Sequence, residues 1–328
     1  MSGRTIAGKS IEAIGLGCMN LSHAYGQPPS EQQAAEVLMA AIDMGVDHFD
    51  TAALYGFGNN EKLLGKILKP YRQQLFLASK CGMTGVDGKR VIDGRPSTLR
   101  ATIEQSLQNL QTEVIDLYYL HRWDKNVPIE DSVGELSCMV KEGKINAIGL
   151  SEVSAATLKK AHQVHPIAAV QTEYSLWTRN PEIAVSKACQ NIGAALVAFS
   201  PLGRGFLCGQ AIDVTSLVAG DIRKGMPRFQ PQHANQNRGL LTTLVSLSKQ
   251  LNCSLAQLSL AWLLHQGDHV VPIPGTTQVA HLRDNIAASQ VRLNASQLSL
   301  LDKVFEHKQI SGPRYPAATQ LEIDTEEF

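Results

Sequence analysis

Short apolar runs rich in β-branched and aliphatic residues alternate with amphipathic stretches from the first twenty residues almost to the end of the chain. A run of four to eight apolar residues bounded by turn signals reads as a buried strand, and apolar positions three or four apart read as a helix laid on a sheet. The strand-like runs are IGLGCM at 14–19, HFDTA at 48–52, LFLASK at 75–80, IDLYYLH at 115–121, INAIGLS at 145–151, AAVQTEY at 168–174, AALVAFSP at 194–201 and VVPIPGT at 270–276. Between them lie helical patterns such as EQQAAEVLMAAIDMG, whose last glycine suits a C′ stop, and PSTLRATIEQSLQNL, where Ser97 or Thr98 suits an N-cap. Eight strands, seven intervening helices and one helix after the last strand predict a closed (β/α)8 TIM barrel, α/β in class, with 1–328 as one domain.

One stretch breaks the rhythm. Residues 204–240 are too long and too rich in Gly, Pro, Gln and Asn for a βα connection, and predict a lid loop after strand seven. The tail from His307 onward has little periodicity and is expected to wrap over the surface. Gly15 and Gly17 give only GLG, without the third glycine or the helix start of a dinucleotide fingerprint.

Charge removes several function classes. Lys plus Arg and Asp plus Glu each number 30, so the formal net charge is zero and no basic face for nucleic acid is expected. No apolar run approaches the ~18 residues that cross a bilayer, and MSGRTIAGKS has no apolar h-region of a signal peptide. The six cysteines show no CxxC pair, which predicts buried thiols rather than a disulfide or zinc framework; a cytoplasmic location and no metal site are expected. His162 and His165 have helical spacing for a metal but no carboxylate partner nearby.

The barrel prediction brings four polar residues together. Asp50, Tyr55, Lys80 and His121 fall at or just beyond the C-terminal ends of strands two, three and four, where the strand ends of a barrel converge. Asp50 beside Lys80 would keep the ammonium charged, and Lys80 beside the Tyr55 hydroxyl would pull the phenol downward from ~10. With His121 orienting a carbonyl oxygen, the set suits proton delivery to an oxygen gaining negative charge, an effect worth about 10²- to 10⁴-fold in rate.

These residues carry a resemblance. GVDHFDTAALYG, LFLASK and LYYLH are similar to the aspartate–tyrosine, lysine and histidine blocks of the aldo-keto reductase family, and the form SPLGRGFL with RYP near the C-terminus resembles its bacterial and plant branch with a long seventh loop. The resemblance implies that Asp50, Tyr55, Lys80 and His121 form the catalytic tetrad. It implies hydride transfer from a reduced nicotinamide to an aldehyde or ketone, with Tyr55 as proton donor. It places Ser151, Glu152 and Gln171 at the nicotinamide carboxamide, Phe199 on the nicotinamide face, and Ser200, Leu202 and Arg204 at the pyrophosphate. Gly275, Thr276, Gln278, Asp284 and Asn285 would meet the adenosine half.

Thr277 and Gln278 are neutral where relatives that prefer NADPH often carry Lys or Arg. NADPH is the expected cofactor, with NADH as the alternative and with Arg283, Arg223 or Arg228 available for the 2′-phosphate. Tyr25, Met83, Trp123 and Trp177 are expected to line the substrate pocket, with His23 and Phe229 nearby; the expected partner is a small carbonyl compound. Three other readings compete: alcohol oxidation by the same tetrad, a nucleotide-binding regulatory subunit like the potassium-channel β subunits, and a lyase in which Lys80 forms a Schiff base. The last needs a neutral lysine, which an Asp50 partner opposes.

Overall fold

A computed structural model describes residues 3–86, 89–210 and 212–328. Its central strands are β1 (Leu16–Gly17), β2 (His48–Asp50), β3 (Phe76–Cys81), β4 (Leu117–Leu120), β5 (Ile148–Ser151), β6 (Ile167–Glu173), β7 (Ala195–Phe199) and β8 (Val270–Pro272). They form one sheet in sequential order with every neighbour parallel. The backbone closes it: Gly15 N–H donates to Pro272 O at 3.0 Å and Gly17 N–H to Pro274 O at 3.3 Å. A Cβ on Gly17 would stand 2.7 Å from Ile273 O, and one on Gly275 would stand 2.8 Å from Gly17 O, so the seam needs residues without side chains. The GLG pair thus belongs to barrel closure.

Alternation along each strand sorts side chains between two cores. On β3, Phe76 and Ala78 face the barrel interior with Leu117, Tyr119, Val197 and Val271, while Leu77 and Cys81 face the helices. Lys80 follows Phe76 and Ala78 in period two, and so points inward at the C-terminal rim. An antiparallel hairpin that the strand pattern does not mark, Arg4–Ile6 with Lys9–Ile11, adds Ile6 and Ile11 to the interior cluster. A second hairpin, Met83–Val86 with Lys89–Ile92, follows β3.

Helices α1 (Glu31–Asp43), α2 (Asn59–Leu68), α3 (Pro96–Leu110), α4 (Ile129–Lys141), α5 (Ala155–Val164) and α6 (Val185–Ile192) follow β1 to β6 in turn. Two helices, α7 (Pro231–Gln250) and α8 (Leu255–Leu264), separate β7 from β8, and α9 (Val279–Ala287) follows β8. Helix α1 opens with a Ser30–Gln33 capping box and is followed by Gly45 at φ +85°, the glycine stop its sequence announces.

Three local expectations are corrected. Helix α3 begins at Pro96 after Arg95, so neither Ser97 nor Thr98 is its N-cap; proline at the first helical position sets the boundary earlier. The lid ends sooner than expected. Short 3-10 turns occupy Gly203–Cys208, Ile222–Gly225 and Pro227–Phe229, and 231–240 are the first half of α7, whose mostly polar opening turns hide its periodicity. The tail does more than cover the surface, because Arg314 and Tyr315 are buried.

Candidate active site

The C-terminal rim of the barrel gathers the residues singled out on β2, β3 and β4. Lys80 is fully buried, and its ammonium donates to Asp50 Oδ1, to Thr51 O at 2.7 Å and to Tyr55 Oη at 3.4 Å. Gln171 Nε2 donates to the second oxygen, Asp50 Oδ2, at 2.7 Å. The Tyr55 ring lies edge-on to His121, centroids 5.8 Å apart, and tilted against His23 at 5.4 Å. His121 Nδ1 and His23 Nδ1 are buried without a hydrogen-bond partner among the described residues. Asp50, Tyr55, Lys80 and His121 therefore converge as the strand assignment requires.

The electrostatics differ from expectation at Tyr55. Burial pushes its phenol above the ordinary tyrosine value, and the Lys80 charge, already committed to Asp50, only partly offsets this. Burial would also lower the Lys80 ammonium, but Asp50 and then Tyr55 outweigh it and hold the lysine above its ordinary value. His121 is pushed far down by burial and by the nearby charges of Arg122, Lys80 and Arg90, so its imidazole is neutral. The rim thus presents a protonated phenol, a charged lysine behind it and a neutral imidazole beside it.

A buried ion network lies at the ends of β5 and β6. Glu152 Oε1 accepts from Thr172 Oγ1 at 2.8 Å and Glu173 N–H at 2.9 Å, while Oε2 accepts from Arg314 Nη2 at 2.6 Å. Arg204 donates to Glu173 at 2.9 Å and reaches the hydroxyls of Tyr315 at 3.3 Å and Tyr25 at 3.4 Å. Both Glu152 oxygens and one edge of Arg204 are thus engaged by the protein itself. Arg314, Tyr315 and Glu173 escape sequence reasoning as site residues, because their pairing joins positions far apart in the chain and follows no local period.

This network has a pH signature. Although burial raises the Glu173 carboxyl, the charges of Arg204, Arg314 and Arg228 hold it at about 2, below the ordinary 4.5. Its stabilising contribution is therefore complete above the unfolded value and fades as pH falls from 4.5 toward 2. Glu173→Gln should destabilise the protein at pH 7 by about 3–5 kcal/mol, since it leaves guanidinium charge buried. Urea unfolding should also show a flatter acid limb below pH ~5 for the variant than for the parent chain.

The remaining rim residues divide between structural bonds and open positions. Ser151 Oγ accepts from Arg122 Nη1 at 3.3 Å. Phe199 and Ser200 are half-buried, and Ser200, Gly203, Arg204 and Gly205 all have positive φ, so Leu202 sits within an unusually turned backbone. Among the described residues, five of the eight non-glycine positions with positive φ lie on rim loops: Ala24, Phe57, Glu152, Ser200 and Arg204. Strain collects where ligands would be held.

Thr276 Oγ1 accepts from Gln278 N–H at 3.1 Å, Asp284 accepts from Ser254 Oγ at 2.6 Å, and the buried Asn285 side chain has no hydrogen-bond partner among the described residues. Trp177 is buried beneath the lid, stacked 4.0 Å from Phe206 and edge-on to Phe229, with Nε1 unpartnered among the described residues. Trp123 Nε1 donates to Val127 O at 2.9 Å, Met83 is buried, and Tyr25 carries Arg223 over its ring. Cys81 faces the helices, where burial pushes its thiol up, so it is a packed and unreactive thiol. His162 Nδ1 accepts from Ile167 N–H at 3.1 Å, a structural bond.

Comparison with known proteins decides the family. The family model described as the aldo/keto reductase family matches residues 13–306. The chain belongs to the aldo/keto reductase family. It is thereby an NAD(P)H-dependent oxidoreductase. It is 42% identical over 311 residues to "Probable aldo-keto reductase 1" of Glycine max, covering 94% of this chain and 89% of that one. Glycerol dehydrogenase of Gluconobacter oxydans superposes with a TM-score of 0.86 at 26% identity, covering 96% of this chain and 98% of that one. An aldo/keto reductase of Klebsiella pneumoniae in complex with NADP and acetate superposes with a TM-score of 0.75 at 24% identity, covering 96% and 99%.

The rim fits a dinucleotide on its own terms. Gly275 is exposed, and a Cβ there would fill space 2.9 Å from Asn20 Oδ1, a buried acceptor with no partner among the described residues. Of the three arginines expected near a 2′-phosphate, two are committed elsewhere. Arg223 forks onto Asp221, and Arg228 donates to Trp177 O, Thr178 Oγ1 and Gly312 O. Arg283 is exposed on α9 with no bonded partner among the described residues.

Proposed function

We propose that this chain reduces aldehydes or ketones to alcohols with NADPH, and that Tyr55 donates the proton. The observation that carries the reading is the Asp50–Lys80–Tyr55 chain of hydrogen bonds beside a neutral His121. When bound, a reduced nicotinamide would supply the hydride. Tyr55 gives its proton to the carbonyl oxygen as negative charge develops there. Lys80, 3.4 Å behind the phenol, stabilises the phenolate left behind, and solvent restores the proton.

Asp50 and Thr51 O hold the ammonium in place, and Gln171 holds Asp50. His121, being neutral, offers an N–H to the same carbonyl oxygen. Ser151, Gln171 and Phe199 would hold the nicotinamide; Ser200, Leu202 and Arg204 the pyrophosphate; Gly275, Thr276, Gln278, Asp284 and Asn285 the adenosine half. Since Arg314 and Thr172 occupy the Glu152 oxygens, its part at the carboxamide is to fix the neighbouring backbone. Arg283 is the cation left for the 2′-phosphate.

The likeness to a glycerol dehydrogenase motivates the reverse direction, in which Tyr55 would accept a proton. A phenol raised by burial is the better donor than acceptor at neutral pH, which favours reduction. The test is steady-state oxidation of NADPH by the purified protein with benzaldehyde, against NADP⁺ reduction with benzyl alcohol. Aldehyde-dependent NADPH loss supports the reading, and activity confined to the alcohol reverses the proposed direction.

A further inference from the structure

Among the buried arginines of the described residues, Arg122 stands apart. Arg4 meets Asp268, Arg204 meets Glu173 and Arg314 meets Glu152. Arg228 lacks a carboxylate but donates to three neutral oxygens that surround it. Arg122 is 8% exposed, and Nη1 donates only to His121 O at 2.7 Å and Ser151 Oγ at 3.3 Å. Its Nε is buried without a partner among the described residues. Its Nη2 has no bonded partner, and no carboxylate pairs with this guanidinium among the described residues. Burying a cation in this state is costly unless an anion arrives.

Asp50 is held by Lys80 and Gln171, and Glu322 is paired with Arg90. The Arg122 charge is felt at both the Tyr55 phenol and the His121 imidazole, where Lys80 and Arg90 add to it. Arg122 directly follows His121 at the end of β4, on the side toward Ser151 of β5. A carbonyl oxygen held between Tyr55 and His121 would bring a group on the adjacent carbon toward this arginine.

We propose that Arg122 is a specificity-determining residue that pairs with a substrate carboxylate, and that the preferred substrates are 2-oxo acids, reduced to 2-hydroxy acids. This inference rests on the reductase reading and narrows its substrate class. Hydride adds to the carbonyl carbon, the Tyr55 proton goes to the carbonyl oxygen, and the carboxylate passes through unchanged, held as a charge-assisted pair.

The test compares phenylglyoxylate with its neutral methyl ester in the parent chain, Arg122→Met and Arg122→Lys. The parent should favour the acid in kcat/KM by at least about tenfold, and Arg122→Met should lower the acid-to-ester ratio by about 10- to 100-fold, the usual effect of losing a hydrogen bond to a charged group. Arg122→Lys should keep part of the preference. A ratio untouched by Arg122→Met, or a parent that favours the ester, overturns the proposal. So does an Arg122→Met variant that loses NADPH affinity with the ratio unchanged, because the arginine would then serve the nucleotide.

If neither compound is turned over, the reductase reading fails, and the anion site is judged alone from dissociation constants of both compounds for NADPH-loaded Tyr55→Phe with and without Arg122→Met. The same acid preference, lost with Arg122, upholds the site, and equal binding of acid and ester rejects it.

Discussion

Tyr55→Phe should lower turnover by about 10²- to 10⁴-fold, the range of a lost general acid, while NADPH affinity changes by less than about threefold. The asymmetry follows from position. The Tyr55 hydroxyl meets Lys80 in the protein, and the groups proposed to hold the nucleotide come from β5 to β8 and the loops that follow them. Phenylalanine keeps the ring that packs against His121 and His23, so the fold should be preserved. Stopped-flow single turnovers with excess enzyme separate the proton-coupled chemical step from product release, and turnover within threefold of the parent would remove Tyr55 from the role of donor.

Lys80→Met should do two things at once. It removes the charge that stabilises the Tyr55 phenolate, with turnover falling by at least about 10²-fold, and it strands a buried Asp50 carboxylate at a cost of about 3–5 kcal/mol. Pairing it with Asp50→Asn separates the effects, since the stranded charge is gone but the lysine is still missing. Urea unfolding of the double variant should recover much of the lost stability, whereas turnover should stay low. A double variant as unstable as Lys80→Met would mean that the destabilisation comes from packing around the lysine stem.

The barrel was legible because period two on the strands is a local property. Phe76, Ala78 and Lys80 face inward for the same geometric reason, and once the strands are placed Asp50, Lys80 and His121 have to meet. The Tyr55 acidity was misjudged because a pairwise argument saw Lys80 and missed the burial that a closed rim imposes. Arg314 was legible only as part of a motif, since its partner Glu152 lies 162 residues away and nothing in RYP announces a buried ion pair. Arg122 was hidden differently. Its signal is the absence of a counter-ion among the described residues, which only a three-dimensional arrangement reveals.

The lid shows the same division. A stretch dense in Gln, Asn, Gly and Pro reads as loop, yet its second part folds as the opening turns of α7 because Pro231 suits the first helical position and Leu241, Leu244 and Leu247 bury the helix further on. Composition located the irregular segment, and tertiary packing decided where it stops.

The central claim, a nicotinamide-dependent reductase built on this rim, is tested most directly by titrating the protein with NADPH and separately with NADH, following the fluorescence of Trp123, Trp177 and Trp262. Saturable quenching by NADPH at lower concentration than NADH is the expected result, with Arg283 answering the 2′-phosphate. A folded protein whose fluorescence responds to neither nucleotide would contradict the account at its foundation.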